Sequence, residues 1–195
     1  MPRITAPTVA EHVRLQERAI LDAAGRLFAE RGVSGTDLGD IAAEVGLARS
    51  SLYRYFPDKD HILLAWFERE LQPVIDQSAT LLEGDDPPVE RIVRWMRFQI
   101  DYVADPSHDL APRLAAEIGA VSQEVQHAIA AGHMRLYGQP AALVAEAVPP
   151  GRDARLVLGV LGGILRATGE AVAAGTPLAL ARAELDRDVR AVLAP

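Results

Sequence analysis

The sequence predicts an all-α chain of about nine helices, with a small three-helix head at the N-terminus followed by a larger helical bundle. Three observations predict it. Apolar residues recur at helical spacing along nearly all of the 195 residues, no stretch sustains the alternation of a strand, and the interruptions fall at glycine and proline clusters. Those clusters are 32–35, 46, 84–88, 105–108, 149–151 and 175–177.

In order along the chain, residues 1–12 read as a flexible arm, because Pro2 and Pro7 oppose helix, with Arg3 as a possible phosphate contact. Ile20, Ala23, Ala24, Leu27 and Phe28 form the apolar stripe of a first helix that ends at Gly32. Short helices are predicted over 37–45 and 49–56. A longer one starts at Asp58 or Lys59 and runs past Glu70, with Pro73 as a kink or break. Further helices are predicted over 88–104, 109–120, 122–147, 153–174 and 178–193. The expected division is therefore an arm (1–12), a head (13–57) and a helical effector-binding and dimerisation region (58–195).

Composition bounds the chemistry. There is no cysteine, which excludes disulfides and thiolate-bound metals. The first residues lack the apolar run of a secretory signal, and the most apolar span, Leu156 to Leu165, is short for a bilayer, so a cytoplasmic, membrane-free protein is expected. The net charge of -7 argues against nucleic acid at first sight. Its distribution removes the objection: residues 1–59 are balanced, and the acidity lies downstream. Of the 20 basic residues, all but Lys59 are arginine.

The stretch TDLGDIAAEVGLARSSLYRYFPDKDHIL, residues 36–63, carries the most information. Two short helices meeting at a sharp angle need a small residue at their approach and a glycine able to take positive φ, which Ala42 and Gly46 supply. Ile41, Val45, Leu47 and Leu52 are apolar where the pair must pack on the first helix. Thr36 or Asp37 can cap the helix over 37–45. A plain helical hairpin would need the same positions, but it would be indifferent to its exposed residues. Here the helix over 49–56 displays Arg49, Ser50, Ser51, Tyr53, Arg54 and Tyr55, a set rich in phosphate donors and base-edge readers.

Thr36, Ile41-Ala42, Gly46, Leu52-Tyr53, Tyr55-Phe56 and Lys59, preceded by ILDAAGRLFAERG, resemble the TetR (tetracycline-repressor) family over about residues 15–65. The resemblance implies a helix-turn-helix reader of double-stranded operator DNA, a homodimer, and an all-helical remainder that binds a small-molecule effector. By position it implies DNA contacts at Thr36, Arg49, Ser50, Ser51, Tyr53, Arg54 and Tyr55, with Lys59 meeting a phosphate at the start of the fourth helix. Tyr55 could equally be partly core. Two departures stand out. Asp37 replaces a common hydroxyl residue and would repel a phosphate unless it turns inward as a cap, and Gly39 supplies no side chain where a polar contact is frequent.

In the downstream region, the helix over 153–174 is apolar on more than one face and carries Gly159, Gly162 and Gly163, which allow close approach. The resemblance implies that the last two helices form the dimer interface, through Leu156, Gly159, Val160, Gly163, Leu185 and Val189; a monomeric bundle is the alternative. Trp66, Trp95, Tyr102, Met134 and Tyr137 could wall an apolar pocket in which Gln99 and Glu117 orient a ligand, or simply be core. Enzyme readings find little support. Glu124-x-x-His127 lacks the second copy a di-iron bundle needs, and neither a serine nucleophile motif nor a glycine-rich phosphate loop is present, so no cofactor and no metal are expected. The reading is a transcriptional regulator, expected to be a repressor released by a ligand. A ligand-independent regulator or activator, a helical enzyme and a protein-interaction bundle are the alternatives.

Overall fold

The computed structural model describes residues 9–105, 119 and 121–194, and among these there is no strand. The described helices are α1 (Val9–Arg31), α2 (Leu38–Glu44), α3 (Arg49–Leu52), α4 (Lys59–Leu81), α5 (Pro88–Ala104), α6 (Gln123–Tyr137), α7 (Ala141–Ala147), α8 (Ala154–Ala173) and α9 (Leu178–Leu193). The all-α expectation holds. The arm expected over 1–12 is helical from Val9 onward, and its Arg3 lies outside the described residues, as does nearly all of the helix expected over 109–120.

Three boundaries differ from the sequence reading, each for a local reason. The helix expected over 122–147 is two, α6 and α7, because Pro140 has no N–H to continue the ladder and its ring would meet a carbonyl one turn back. Pro73 breaks nothing: α4 runs through it to Leu81. The third helix is one turn long. Beyond Leu52 the bonds tighten, with Arg54 N donating to Ser51 O at 3.2 Å and Tyr55 N to Leu52 O at 2.9 Å. Pro57 biases Phe56 away from helical geometry and so limits the helix from that side.

The described residues fall into two compact units. The first holds α1, α2, α3, the part of α4 up to Glu70 and the start of α6 up to Ala130. Its core is Ile20, Leu27, Phe28, Ile41, Leu52, Ile62 and Leu63 with Val125 and Ile129, so it is larger than a three-helix head. The starts of α4 and α6 are tied by a hydrogen bond from Ser122 N to Asp60 Oδ2 at 2.7 Å. Beside it, Asp58 Oδ1 accepts from His61 N at 2.9 Å, capping the first turn of α4, and lies 2.8 Å from His61 Nδ1.

The second unit contains α4 from Leu71, the rest of α6, and α5, α7, α8 and α9. Here α5 is the central element, since it packs on α7, α8 and α9. It buries Ile92, Val93, Trp95, Met96 and Ile100 at helical spacing against Val144, Val157, Leu161, Leu185 and Val189. Arg182 Nε to Asp101 Oδ1 at 2.6 Å, Arg97 Nε to Asp186 Oδ1 at 2.7 Å and Arg190 Nη2 to Glu90 Oε2 at 2.9 Å lace α9 to α5 along their edge. Arg91 and Arg94 of α5 donate to Leu82 O and Leu81 O, satisfying carbonyls at the end of α4 that no helical turn follows.

This packing corrects part of the expected dimer interface. Leu185 and Val189 are 1% and 0% exposed within the chain's own core, so a partner cannot reach them, whereas Leu156 and Val160 of α8 are 70% and 43% exposed. Leu185→Ala should therefore cost about 2 to 5 kcal/mol of stability by the cavity it leaves; chemical denaturation checks this, and a loss below about 1 kcal/mol would contradict the burial.

The Asp58–His61 contact sets a pH dependence. The hydrogen bond to Asp58 raises the His61 pKa above its ordinary 6.5, with the charges of Asp58, Glu124 and Asp60 adding to it. His61 thus contributes stability fully below 6.5, and that contribution disappears as pH rises through its raised folded-state value. Wild-type and His61→Gln proteins should differ more in melting temperature on the acidic side of neutrality than on the alkaline side; a pH-independent difference would contradict the assignment.

Candidate nucleic-acid interface

The interface is built from the turn that precedes α2. The helix α1 ends at Gly32, which takes φ 76. Thr36 then turns its hydroxyl inward, donating to Gly32 O at 2.9 Å and toward Leu27 O at 3.3 Å, with the residue 1% exposed. Its hydroxyl is thereby unavailable to a duplex, contrary to the expected contact, because burial without those partners would cost more than a surface contact returns. Asp37 follows as the N-cap of α2. Its Oδ1 accepts from Gly39 N at 2.5 Å and Asp40 N at 3.0 Å, while Asp40 Oδ2 accepts from Asp37 N at 3.0 Å, a reciprocal capping box.

The two departures noted in the sequence explain each other. A Cβ at residue 39 would stand 2.9 Å from Asp37 Oδ1, so Gly39 leaves the space in which the cap carboxylate folds onto the backbone. The backbone hydrogen bonds from Asp40 and Gly39 lower the Asp37 pKa and keep the carboxylate ionised at the positive end of the helix. Gly46, at φ 69, makes the turn between α2 and α3, and Leu47 N returns to Ala42 O at 2.8 Å.

Leu52 is the anchor of α3 and is fully buried. Arg49, Ser50, Tyr53 and Arg54 consequently face solvent, while Ser51 and Tyr55 are half-buried and Tyr55 packs on the core. The Arg54 guanidinium lies 6.0 Å from the centre of the Tyr55 ring. Neither Arg49 nor Arg54 joins a salt bridge among the described residues, whereas Arg26 and Arg31 are paired to Glu44 and Asp40. Lys59 stands apart from this face in its chemistry. Its ammonium donates to Val33 O at 2.6 Å and Thr36 O at 2.9 Å, so two of its three donors are already committed.

The expected ligand residues that are described fall in both units. Trp66 belongs to the first unit, edge-on to Phe28 with ring centres 6.4 Å apart. Trp95 and Gln99 are buried in the second unit with partners of their own. Gln99 Nε2 donates to Ser78 Oγ at 2.9 Å and Trp95 Nε1 to Gln139 Oε1 at 3.2 Å, and Gln139 Nε2 donates in turn to Ile75 O at 2.9 Å. Ser78 and Gln139 carry no signal in the sequence that would single them out, because their partners are distant along the chain. Tyr102 is half-buried beside Phe98, Met134 is 70% exposed, Tyr137 stacks on His133, and Glu117 lies outside the described residues. A groove of about 510 Å³ in the second unit is lined mainly by Asp86, Glu90, Arg94, Arg97, Asp101 and Arg190, and among the described residues none of those expected to bind a ligand lines it.

Residues 20–66, the segment that builds this interface, match the family described as "Bacterial regulatory proteins, tetR family". The transcriptional regulator HbdR of Aromatoleum sp. is 35% identical over 89 residues, covering 46% of this chain and 38% of HbdR. The transcriptional repressor LfrR of Mycolicibacterium smegmatis is 36% identical over 95 residues, covering 47% of each chain. The chain thus spans less than half the length of these curated relatives. In overall fold it is similar to a putative TetR-family transcriptional regulator from Mesorhizobium loti, at TM-score 0.74, 19% identity and coverage of 93% and 96%. It is similar also to FadR of Bacillus subtilis solved with stearoyl-CoA, at TM-score 0.70, 18% identity and coverage of 88% and 96%. Residues 20–66 thus match the tetR family of bacterial regulatory proteins, the relatives similar to that part of the chain are named transcriptional regulators, and the chain as a whole is similar in helical fold to the solved structures.

Proposed function

We propose that the chain is a cytoplasmic, homodimeric transcriptional repressor that binds a two-fold operator in double-stranded DNA and is released by a small-molecule effector. The observation that carries the reading is the exposed face of α3, where Arg49 and Arg54 stand without an ion partner among the described residues beside Ser50 and Tyr53. Arginine at the start of such a helix can bond two acceptors of guanine at once, and the hydroxyls suit phosphates. Ser51 and Tyr55 flank this set at its half-buried edge. Relatives named as repressors favour repression over activation.

Dimerisation is supported by α8. Leu156, Gly159 and Val160 are exposed with Gly163 half-buried one turn on, and a Cβ added at Gly159, Gly162 or Gly163 would meet nothing within 4 Å. The helix is 20 residues long, and an 18-residue stretch of it has mean hydropathy 1.5 and is 17% buried, which by length and composition would also suit a membrane span. A second copy of the chain is the occupant that a two-fold operator calls for, and it would cover this face without a bilayer.

Effector release rests on linkage: a ligand that prefers a conformation with misplaced heads must weaken operator binding by the same factor by which DNA weakens the ligand. Structural similarity to a regulator solved with stearoyl-CoA supports a small-molecule ligand. A ligand-independent regulator is the second reading, favoured by Trp95 and Gln99 already having partners inside the chain. No catalytic role is proposed.

Selection of bound fragments from random DNA tests the central claim; it should return imperfect palindromes, and equal affinity for selected and scrambled duplexes would sink it. Arg49→Ala should cut discrimination at one base position of each half-site by about 1 to 3 kcal/mol, measured by competition binding. Gly159→Leu and Gly163→Leu should convert a sedimenting dimer to a monomer. Neither should destabilise the chain itself, since replacing glycine within a helix favours the helix by up to about 1 kcal/mol. A wild-type protein that is monomeric at micromolar concentration would overturn the dimer.

A further inference from the structure

We propose that Trp66 is a positioning residue for the DNA-reading face: its indole is seated in a notch that Gly25 leaves in α1, and this seat sets the spacing between α1 and α4. The inference rests on the reading of the head as a DNA reader. A Cβ at residue 25 would stand 2.5 Å from Trp66 Nε1, closer than non-bonded carbon and nitrogen pack, and 3.1 Å from its Cδ1. The pyrrole edge of the indole therefore occupies the place of a side chain. The same ring meets Phe28 edge-on, with centres 6.4 Å apart and planes at 81°. Arg69, one turn further along α4, donates to Asp22 Oδ1 at 2.7 Å, while Glu70 Oε1 holds its guanidinium at 3.0 and 2.9 Å. Asp22 and Gly25 of α1 thus meet Arg69 and Trp66 of α4, so the two helices run antiparallel along this seam and are fixed in register at two successive turns.

The residue types fit this role. Of all residues but proline, glycine is the least favourable inside a helix, and Gly25 stands within the 23-residue α1 with no turn to make. What it permits is a close approach. Tryptophan fills that approach with a large, rigid ring, which Phe28 bounds from α1 as well. From the ring to the reading face the path is short. Phe28 is fully buried, in one cluster with Ile41 of α2, Leu52 of α3 and Ile62 of α4. A core packed in this way transmits a displacement, because it has no slack in which to absorb one. Ion pairs tie α1 to α2 besides, Arg26 to Glu44 at 3.1 Å and Arg31 to Asp40 at 3.6 Å. Since α1 carries α2 and Leu52 anchors α3 in the same core, the spacing between α1 and α4 bears directly on where Arg49 and Arg54 are presented.

The test compares wild-type protein with Gly25→Ala, Trp66→Leu and the two together, after thermal melts establish that each is folded at the temperature used. The chain has two tryptophans, Trp66 and Trp95. In protein labelled with fluorotryptophan, Gly25→Ala should shift the fluorine resonance that Trp66→Leu removes and leave the other in place; an unmoved Trp66 resonance overturns the seat. Affinity is then measured on a duplex selected from random DNA and on its scrambled counterpart, across a range of salt. Gly25→Ala should lower the ratio of selected to scrambled affinity about tenfold, or about 1.4 kcal/mol. Its salt dependence should be that of wild type, because no phosphate contact is lost. In the Trp66→Leu background, where the notch is empty, the same substitution should change the ratio by less than about twofold. A wild-type ratio in Gly25→Ala, or an equal loss in both backgrounds, overturns the inference. Should Gly25→Ala not fold, Trp66→Phe takes its place: the smaller ring leaves the notch unfilled and should lower the ratio, and an unchanged ratio overturns the inference. A wild-type protein without sequence preference overturns the DNA reading itself and the positioning role with it, while the fluorine shift reports the seat independently.

Discussion

The chain turns between α1 and α2 within a few residues, and its carbonyls must be satisfied there. Leu27 O and Gly32 O are met by the Thr36 hydroxyl, Val33 O and Thr36 O by the Lys59 ammonium. Each would cost about 1 to 3 kcal/mol if left without a partner in a buried setting. The placement of α2 depends on this closure, because the N-cap is the next residue along the chain. The placement of α3 depends on α2, through a turn that Gly46 alone makes comfortable.

Once that turn is closed, the reading face follows from a small number of constraints. Asp37 is committed to the cap and Gly39 has no side chain, so α2 offers little to a base edge at its start. Leu52 is drawn into the core, and with helical spacing this sends Arg49, Ser50, Tyr53 and Arg54 outward. The proposed specificity of the protein therefore concentrates on one helical turn and the tight turn after it.

The second unit solves a different problem, that of burying α5 on several neighbours at once. Apolar contacts supply the core, and the arginine pairs between α5 and α9 lie at its exposed rim, where ion pairs contribute modestly and fix alignment more than stability. The helix α8 takes part in that core through Val157, Leu161 and Leu165 and leaves Leu156 and Val160 outside. An apolar surface of that kind beside a well-packed core is the physical basis for proposing a second copy.

Helical periodicity and the placement of Gly32, Gly46 and Pro88 were sufficient to read the all-α class, the helix-turn-helix and most helix ends from the sequence, since these depend on local backbone preference and on which residues share a face. The same local logic read Asp37 as a possible cap. It missed the break at Gly138 to Pro140, although proline after glycine is a local signal. What periodicity cannot decide is which neighbour an apolar stripe meets. Leu185 and Leu156 look alike along the chain, yet one is sealed under α5 and the other is exposed. Nor can it decide where a long polar side chain ends: Thr36, Lys59, Trp95 and Gln99 each find partners on another element, and only the tertiary structure brings those partners within hydrogen-bonding distance.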